Sequence, residues 1–337
     1  MKTTIYDVAK AAEVSIATVS KVINNTGKMR ESTRLKVLKT MKELNYKPNV
    51  VATALTGKST NTLGLLVPDI SNPFFSEMAR TIEDRAHEQG MSVIMCSTDE
   101  NLEKEKKYLE LLQRKQVDGF IVASSFKDKE LLKELIQNKI PLVMLTEDDP
   151  ALGVTTVSVD DYKGGFEAAS YLLSSGHKDI AIIAEKVQSS RMRIHGYRDA
   201  HDAAGVSYSE DLILRTTASI ENGKSCFESL YDNGRVPTAI FACNDLIAIG
   251  VIRGAKEKGL YVPEDLSVIG FDDTILSTTT VPALTTVAQP IAEMGKKVVD
   301  VIVEEVKGHK KLGERVLFTP RLIVRETTSL LENKDLA

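Results

Sequence analysis

The chain has 337 residues, 42% of them apolar and 27% charged, with 43 Lys and Arg against 47 Asp and Glu and a formal charge of −4. That composition excludes collagen, coiled coil and wholesale disorder, and the length predicts two or three domains at roughly 100–200 residues each. A total of −4 argues against a nucleic-acid partner, but the total is an average. Residues 1–60 hold 11 Lys or Arg and 4 acids, a charge of +7, which leaves −11 on the remainder. The split describes a basic module on an acidic body.

The opening MKTTIYDVAKAAEVSIATVSKVINN has no continuous apolar core and no cleavage site, so no signal peptide is expected. No stretch approaches the ~18 apolar residues of a membrane span. Cys96, Cys226 and Cys243 are odd in number, far apart and outside any CxxC, which fits buried inert thiols. A cytoplasmic protein is expected.

In chain order, residues 4–13 read as a short helix. Thr4 and Asp7 fit a capping box, and Ile5, Val8, Ala9 and Ala12 share one face. Ser15 can cap a second helix, about 16–24, whose Val19, Val22 and Ile23 face inward. Only Glu13 and Val14 stand between the first helix and that cap, a spacing that describes a helix-turn-helix. A third amphipathic helix, about 31–45, carries Leu35, Leu38, Met41 and Leu44 at helical spacing, with Arg34, Lys36, Lys39 and Lys42 available outside. The second helix of such a unit enters the major groove and its first residues reach base edges. Here those are Ile16, Ala17 and Thr18, with Ser20 and Lys21 a turn later. Ile16 and Ala17 can read shape or a thymine methyl, and Lys21 can donate to guanine or phosphate.

The stretches TIYDVAKAAEVSIATVSKVIN and TRLKVLKTMKELNYKPNVVATAL resemble the head and hinge of the LacI/GalR family of bacterial transcription regulators, and the resemblance runs over nearly the whole chain. It implies Ile16, Ala17 and Lys21 as major-groove readers, within a DNA-facing set that also takes in Thr4, Tyr6, Ser15, Thr18, Ser20 and Asn24. Two positions depart from the family. Glu13 stands in the turn where Gly is usual, which costs roughly 1 kcal/mol if the site needs a positive φ. Lys21 stands where Arg is usual, and Lys lacks the bidentate fork for guanine.

Pro48 ends the third helix, and Asn49 can cap a short segment, 50–56, before Gly57. A helix that short is marginal in isolation. In the resembled family two such hinge segments pair in the minor groove. A leucine matching Leu55 wedges a base step open there, and a small residue matching Ala52 allows close approach, with Asn49 beside them on the DNA. Gly57-Lys58-Ser59 ends like a P-loop, but position 52 is Ala where its first Gly is needed, so nucleotide-triphosphate binding is not expected.

From residue 62 strands and helices alternate. TLGLLV (62–67), SVIMCS (92–97), GFIVAS (119–124), PLVML (141–145), TVSVD (156–160), AIIAE (181–185), TAIFA (238–242) and LSVIGF (266–271) read as buried strands. Helical patterns lie at 74–89, 102–115, 127–138 and 162–175. This order predicts an α/β body of parallel sheets with helices on both faces. The resemblance implies a periplasmic-binding-protein-like core of two Rossmann-like lobes behind an all-α head. The expected division is head 1–47, hinge and linker 48–60, core 61–331 and tail 332–337. Within the core one lobe takes about 61–160 and 290–320, the other about 161–289 and 321–331.

Ligands of open α/β sheets bind beyond the C-terminal strand ends. Match to the family's motifs implies Phe75, Arg193, Asn244, Asp272 and Gln289 as effector contacts, with Thr146 a further candidate. Arg191 and Arg193 read as preceding a helix. Arg193 can fork onto hydroxyls or a carboxylate, Asp272 and Asn244 can orient polar groups, and Phe75 can stack on an apolar face.

Catalysis finds no footing. His87, His177, His195, His201 and His309 form no metal-ligand spacing, and no GxSxG, HExxH or GxGxxG is present. No enzyme activity, metal or cofactor is expected. His177 reads as ordering the turn into a strand. The expected function is a homodimeric repressor-type regulator of a pseudo-palindromic operator. Its effector is a sugar, purine or other metabolite, and a phosphorylated carrier protein is the co-repressor of some relatives. The tail ENKDLA lacks a zipper heptad, which favours a dimer. The rival readings are a cytoplasmic solute-binding or sensor protein on the same core, and an α/β enzyme.

Overall fold

Thr4 starts the first helix, α1 (Ile5–Ala11). Its side chain accepts from the Asp7 N–H, and the Asp7 carboxylate accepts from the Thr4 N–H at 2.8 Å. The structure is a computed structural model that describes residues 3–23, 27, 29–46, 59–123, 125–309 and 313–331, and the chain divides into two units, Met1–Thr60 and Asn61–Ala337.

In the first unit α2 (Ile16–Ile23) is capped by Ser15, whose Oγ accepts from the Thr18 N–H at 3.1 Å. The third helix, α3, is Glu31–Glu43. Val8, Ala9, Ala12, Val19, Val22 and Val37 form the buried centre. The expected inward face of α3 is corrected here. Leu35 and Leu38 are 58% and 43% exposed, while Val37 and Thr40 are buried and Met41 and Leu44 pack beside them. Apolar spacing cannot fix the phase of a helix when two rows of it are apolar; the contact with α1 and α2 decides.

The second unit holds two six-stranded sheets. The first has the order β11-β5-β4-β3-β1-β2, all parallel. Its strands are β1 (Thr62–Val67), β2 (Ser92–Ser97), β3 (Gly119–Val122), β4 (Leu142–Leu145), β5 (Thr155–Val159) and β11 (Arg315–Phe318). Helices α4 (Pro73–Glu88), α5 (Leu102–Arg114) and α6 (Glu130–Gln137) connect them. The second sheet has the order β12-β10-β9-β8-β6-β7. It contains β6 (Ile180–Glu185), β7 (Ile213–Thr216), β8 (Ala239–Ala242), β9 (Ser267–Asp272), β10 (Thr285–Ala288) and β12 (Arg321–Ile323). Its helices are α7 (Asp161–Ser174), α8 (Gln188–Ala204), α9 (Ile220–Asp232), α10 (Asp245–Glu257) and the short α11 (Ile275–Thr279). Then α12 (Ile291–Val306) returns to the first sheet, where its Ile302 lies against Gly119 of β3.

The chain therefore passes between lobes three times, after β5, after β10 and after β11. Burial on both faces explains the continuous apolar runs of the central strands. Two details differ from a purely parallel reading. The edge strand β12 pairs antiparallel with β10. The edge strands β7, β11 and β12 are only half-buried and lack the apolar run that marks the central strands, and the expectation of 92–97 as a buried strand is corrected: β2 is the other edge, covered on one side only, with Met95 43% exposed. Burial of Cys96 and Cys243, with Cys226 half-buried, fits the inert-thiol reading. His177 ties its turn to two segments, through Nδ1 to Thr238 Oγ1 at 3.1 Å and Nε2 to the Ser329 carbonyl at 3.2 Å.

Candidate effector cleft and nucleic-acid interface

A cavity of about 350 Å³ lies between the two lobes, at the C-terminal strand ends. Phe75, Thr146, Arg193, Asn244, Asp272 and Gln289 all line it. Sequence separations of up to about two hundred residues are closed by the two sheets and the three crossings between them.

Asn72 caps α4 by accepting from the Phe74 N–H at 3.1 Å, and Pro73 occupies the first turn, which sets Phe75 at the cavity edge. Phe75 meets Phe74 edge-on, with ring centroids 5.1 Å apart. Thr146 follows β4 with φ +68°, a conformation that non-glycine residues adopt rarely. Asn244 caps α10: its Oδ1 accepts from the Ile247 N–H at 2.8 Å. Its buried Nδ2 makes no hydrogen bond of normal geometry and faces the Glu185 carboxylate, on which it acts.

Arg193 does not precede a helix, as its sequence context predicted. It and Arg191 lie inside α8, because the helix starts at Gln188. Gly165 of α7 and Gly196 of α8 let the two backbones touch: a Cβ on Gly165 would stand 2.1 Å from the Arg193 carbonyl oxygen. That close crossing brings the Arg193 guanidinium onto Asp161, with Nε donating to Oδ1 at 2.8 Å. Nη1 donates to the Cys243 carbonyl, and the guanidinium carbon lies 3.5 Å over the Phe271 ring. Burial opposes the Arg193 charge, but Asp161 and Asp272 outweigh it and raise the guanidinium pKa. The Cys243 thiol is pushed up to about 12 by burial. Asp272 ends β9 with φ +111° and accepts from Gln289 Nε2 at 2.7 Å. Backbone strain of this kind is held in place only by surrounding structure.

Among the cavity residues that the sequence does not single out are Asp161, Glu147 and Glu185. Glu185 is the last residue of β6 and Glu147 lies two residues beyond β4, so the strand-end rule could have found both. Burial pushes both carboxyls up. The lining holds Asp69, Asp99, Glu100 and Glu147 from one lobe and Asp161, Glu185 and Asp272 from the other, against only Lys186 and Arg193. Asp245, beside Asn244, plays a different part. Its carboxylate accepts from the Thr274 N–H, Thr274 Oγ1 and Thr286 Oγ1 at 2.8, 2.9 and 2.7 Å, tying α10 to the strands beside it.

On the first unit, Thr4, Tyr6, Ser15, Ile16, Ala17 and Lys21 are exposed, and Thr18 and Ser20 half-buried. Glu13 has φ +53°, so the turn does use the left-handed conformation, and its carboxylate accepts from Lys36 Nζ at 2.9 Å. Asn24, Asn49, Ala52 and Leu55 lie outside the described residues. No helix among the described residues is long and apolar enough to cross a membrane.

The family model for bacterial regulatory proteins of the lacI family matches residues 4–49, and that for a periplasmic binding protein-like domain matches residues 169–328. The HTH-type transcriptional regulator DegA of Bacillus subtilis (strain 168) is 48% identical over 336 residues, 98% of this chain and 99% of its own. The chain belongs to the LacI family. The lac repressor dimer bound to operator and the anti-inducer ONPF superposes with a TM-score of 0.86 at 29% identity, over 98% of this chain and all of that one. A LacI-family regulator from Enterococcus faecium with bound ribose matches 80% of this chain and all of its own, with a TM-score of 0.73 at 33% identity. This LacI-family chain is thus a DNA-binding transcription regulator and not an enzyme, and the solute-receptor reading of its core falls away.

Proposed function

We propose that this chain is a cytoplasmic repressor that binds a pseudo-palindromic operator as a homodimer and is switched by a small polyhydroxylated molecule in the interlobe cleft. The observation that carries the DNA half is the outward face of α2. Ile16 and Ala17 are exposed there beside Lys21, apolar groups with no part in the core that Val19 and Val22 form. Side chains of that kind at the start of a second helix suit thymine methyls and guanine edges. Thr4, Tyr6, Ser15, Thr18, Ser20 and Asn24 would complete the surface, and Asn49, Ala52 and Leu55 would serve in the minor groove.

Phe75, Thr146, Arg193, Asn244, Asp272 and Gln289 would hold the effector. The Asn244 amide donor, which has no hydrogen bond of normal geometry and faces Glu185, and the carboxylate acceptors around it suit hydroxyl groups, which both donate and accept. Control is assigned to this cavity rather than to a phosphorylated carrier protein, because the cavity is the built site. A ligand shifts the protein between states only if it binds them differently, here through the lobe angle and the spacing of the two hinges.

Filter binding against a randomised operator pool tests the reading. Enrichment of a two-fold-symmetric site is expected, and retention of all sequences alike would defeat it. Release or tightening of that complex by a sugar, lost in Phe75→Ala, would place the effector in the cleft.

A further inference from the structure

The lining charge of the cleft is more selective than a site for neutral polyols needs. Of its two cations, Arg193 is committed to Asp161 and the Cys243 carbonyl, and Lys186 is solvent-exposed beside Glu185. Outside the lining, Lys129, which acts on Glu147, is ion-paired with Asp149 at 2.5 Å. Glu147 and Glu185, one from each lobe, have no ion-pair partner among the described residues. Glu185 accepts from Ser190 Oγ at 3.2 Å and meets the Asn244 amide, and Glu147 accepts from Ser125; each carboxylate, with about four acceptor sites, keeps lone pairs for the cavity. Phosphate or carboxylate on a ligand would meet a lining with seven acidic side chains, of which Asp161 is ion-paired, against the single uncommitted cation Lys186 at its exposed edge. An ammonium group offers three donors and a charge of the right sign.

We propose that the ligand of this cleft is a sugar-sized polyol bearing a protonated amine, held by Glu147 and Glu185 from opposite lobes, and that its anionic counterparts are excluded. This rests on the reading of the cleft as the effector site. Phe75 would cover the apolar face of the ring, the Asn244 amide would donate to a ring hydroxyl, and the ammonium would lie between the two glutamates. A cation bridging the lobes would bind the closed arrangement more tightly than the open one, which is the differential affinity that switching requires.

The test is calorimetric titration and thermal shift of the full-length protein in an amine-free buffer. The probes are glucosamine, galactosamine and mannosamine, their parent hexoses and the hexose 6-phosphates. At least one amine should bind saturably and more tightly than its parent, while every phosphate stays silent. Glu185→Gln and Glu147→Gln should each weaken that amine about 10-fold or more, the weight of a lost charge-assisted hydrogen bond. Each variant removes a charge that the unliganded protein leaves unpaired, so both should fold, and circular dichroism checks this. Tighter binding of a parent hexose or a phosphate, lost in Phe75→Ala, would overturn the charge inference and leave the cleft as effector site. Silence of the whole panel, with operator binding intact, would overturn both.

Discussion

Arg193 and Asp161 form an ion pair at 2.8 Å with less than a tenth of either side chain exposed. The pair joins the N-terminal turn of α7 to the interior of α8, and it faces the cleft. Its meaning is partly structural: the guanidinium that lines the cleft is already neutralised by the fold. What remains for the ligand is the surrounding excess of carboxylates. Function and stability therefore share one residue.

Arg193→Ala should for that reason cost stability as well as ligand binding. It leaves Asp161 and Asp272 buried without their cation, and breaking such a pair costs about 3–5 kcal/mol. Adding Asp161→Ala should restore part of the loss, so the double variant falls short of the summed singles by roughly 1–3 kcal/mol. Urea unfolding of the core gives the cycle. Strict additivity would mean that the two charges do not interact.

The pH dependence follows from Asp245, whose carboxyl burial pushes up to about 6, and from Glu147 and Glu185, pushed up for the same reason. A carboxyl with a raised folded pKa binds protons more tightly in the folded state between its unfolded and folded values. Its unfavourable effect is absent below about pH 4 and grows as pH rises through about 6. His177 and His201, whose values burial lowers, pull the other way below about pH 6.5, but the raised carboxyls outnumber them, so the core should be more stable at pH 5 than at pH 7.5, by roughly 1 kcal/mol. Asp7, Glu13, Asp149, Glu257 and Glu304 have lowered values, so their stabilising effect is lost only at more acidic pH. Denaturation midpoints across pH 4.5–8 check this. A midpoint that rises steadily to pH 8 would contradict the buried-carboxyl account.

The sequence was most legible where one local rule decides. Thr4 and Ser15 are caps that composition and position reveal, and the central strands announce themselves by burial on both faces. Strand ends carry the cleft, so Asp272 and Asn244 could be placed without a structure. It was least legible where tertiary contact chooses between local equivalents. Leu35 and Val37 are both apolar on α3, and only the neighbours α1 and α2 select Val37. Arg193 reads as preceding a helix; its burial inside α8 depends on the contact of Gly165 with Gly196, 31 positions on. The electrostatic character of the cleft was invisible for a related reason. Glu147 and Glu185 stand in unremarkable local contexts, and their charges add up only once two sheets bring them together.

In the first unit Glu13 sits in the left-handed conformation at φ +53°. A glycine there avoids the Cβ clash that conformation imposes. Glu13→Gly loses the contact with Lys36, but both side chains are well exposed, at 81% and 49%, so that loss is small. The head's thermal transition should rise in Glu13→Gly and fall in Glu13→Val, where β-branching worsens the strain. Calorimetry of the full chain reads both. A lower transition in Glu13→Gly would show that the Lys36 contact outweighs the backbone.

Lys21 is exposed at the end of the α2 face that holds Ile16 and Ala17. If its ammonium reads a guanine, Lys21→Ala should cost specific binding about 1–3 kcal/mol, and should cost random DNA much less. If it only neutralises phosphate, both should weaken alike and the salt dependence of both should fall by about one ion. Lys21→Arg separates these further. A planar fork can take both guanine acceptors, which the single ammonium cannot, so Arg should sharpen operator preference and slow dissociation. The measurement is the ratio of operator to random-DNA affinity at two salt concentrations for wild type, Lys21→Ala and Lys21→Arg. An unchanged ratio in all three would assign Lys21 to the backbone and leave Ile16 and Ala17 as the readers on that face.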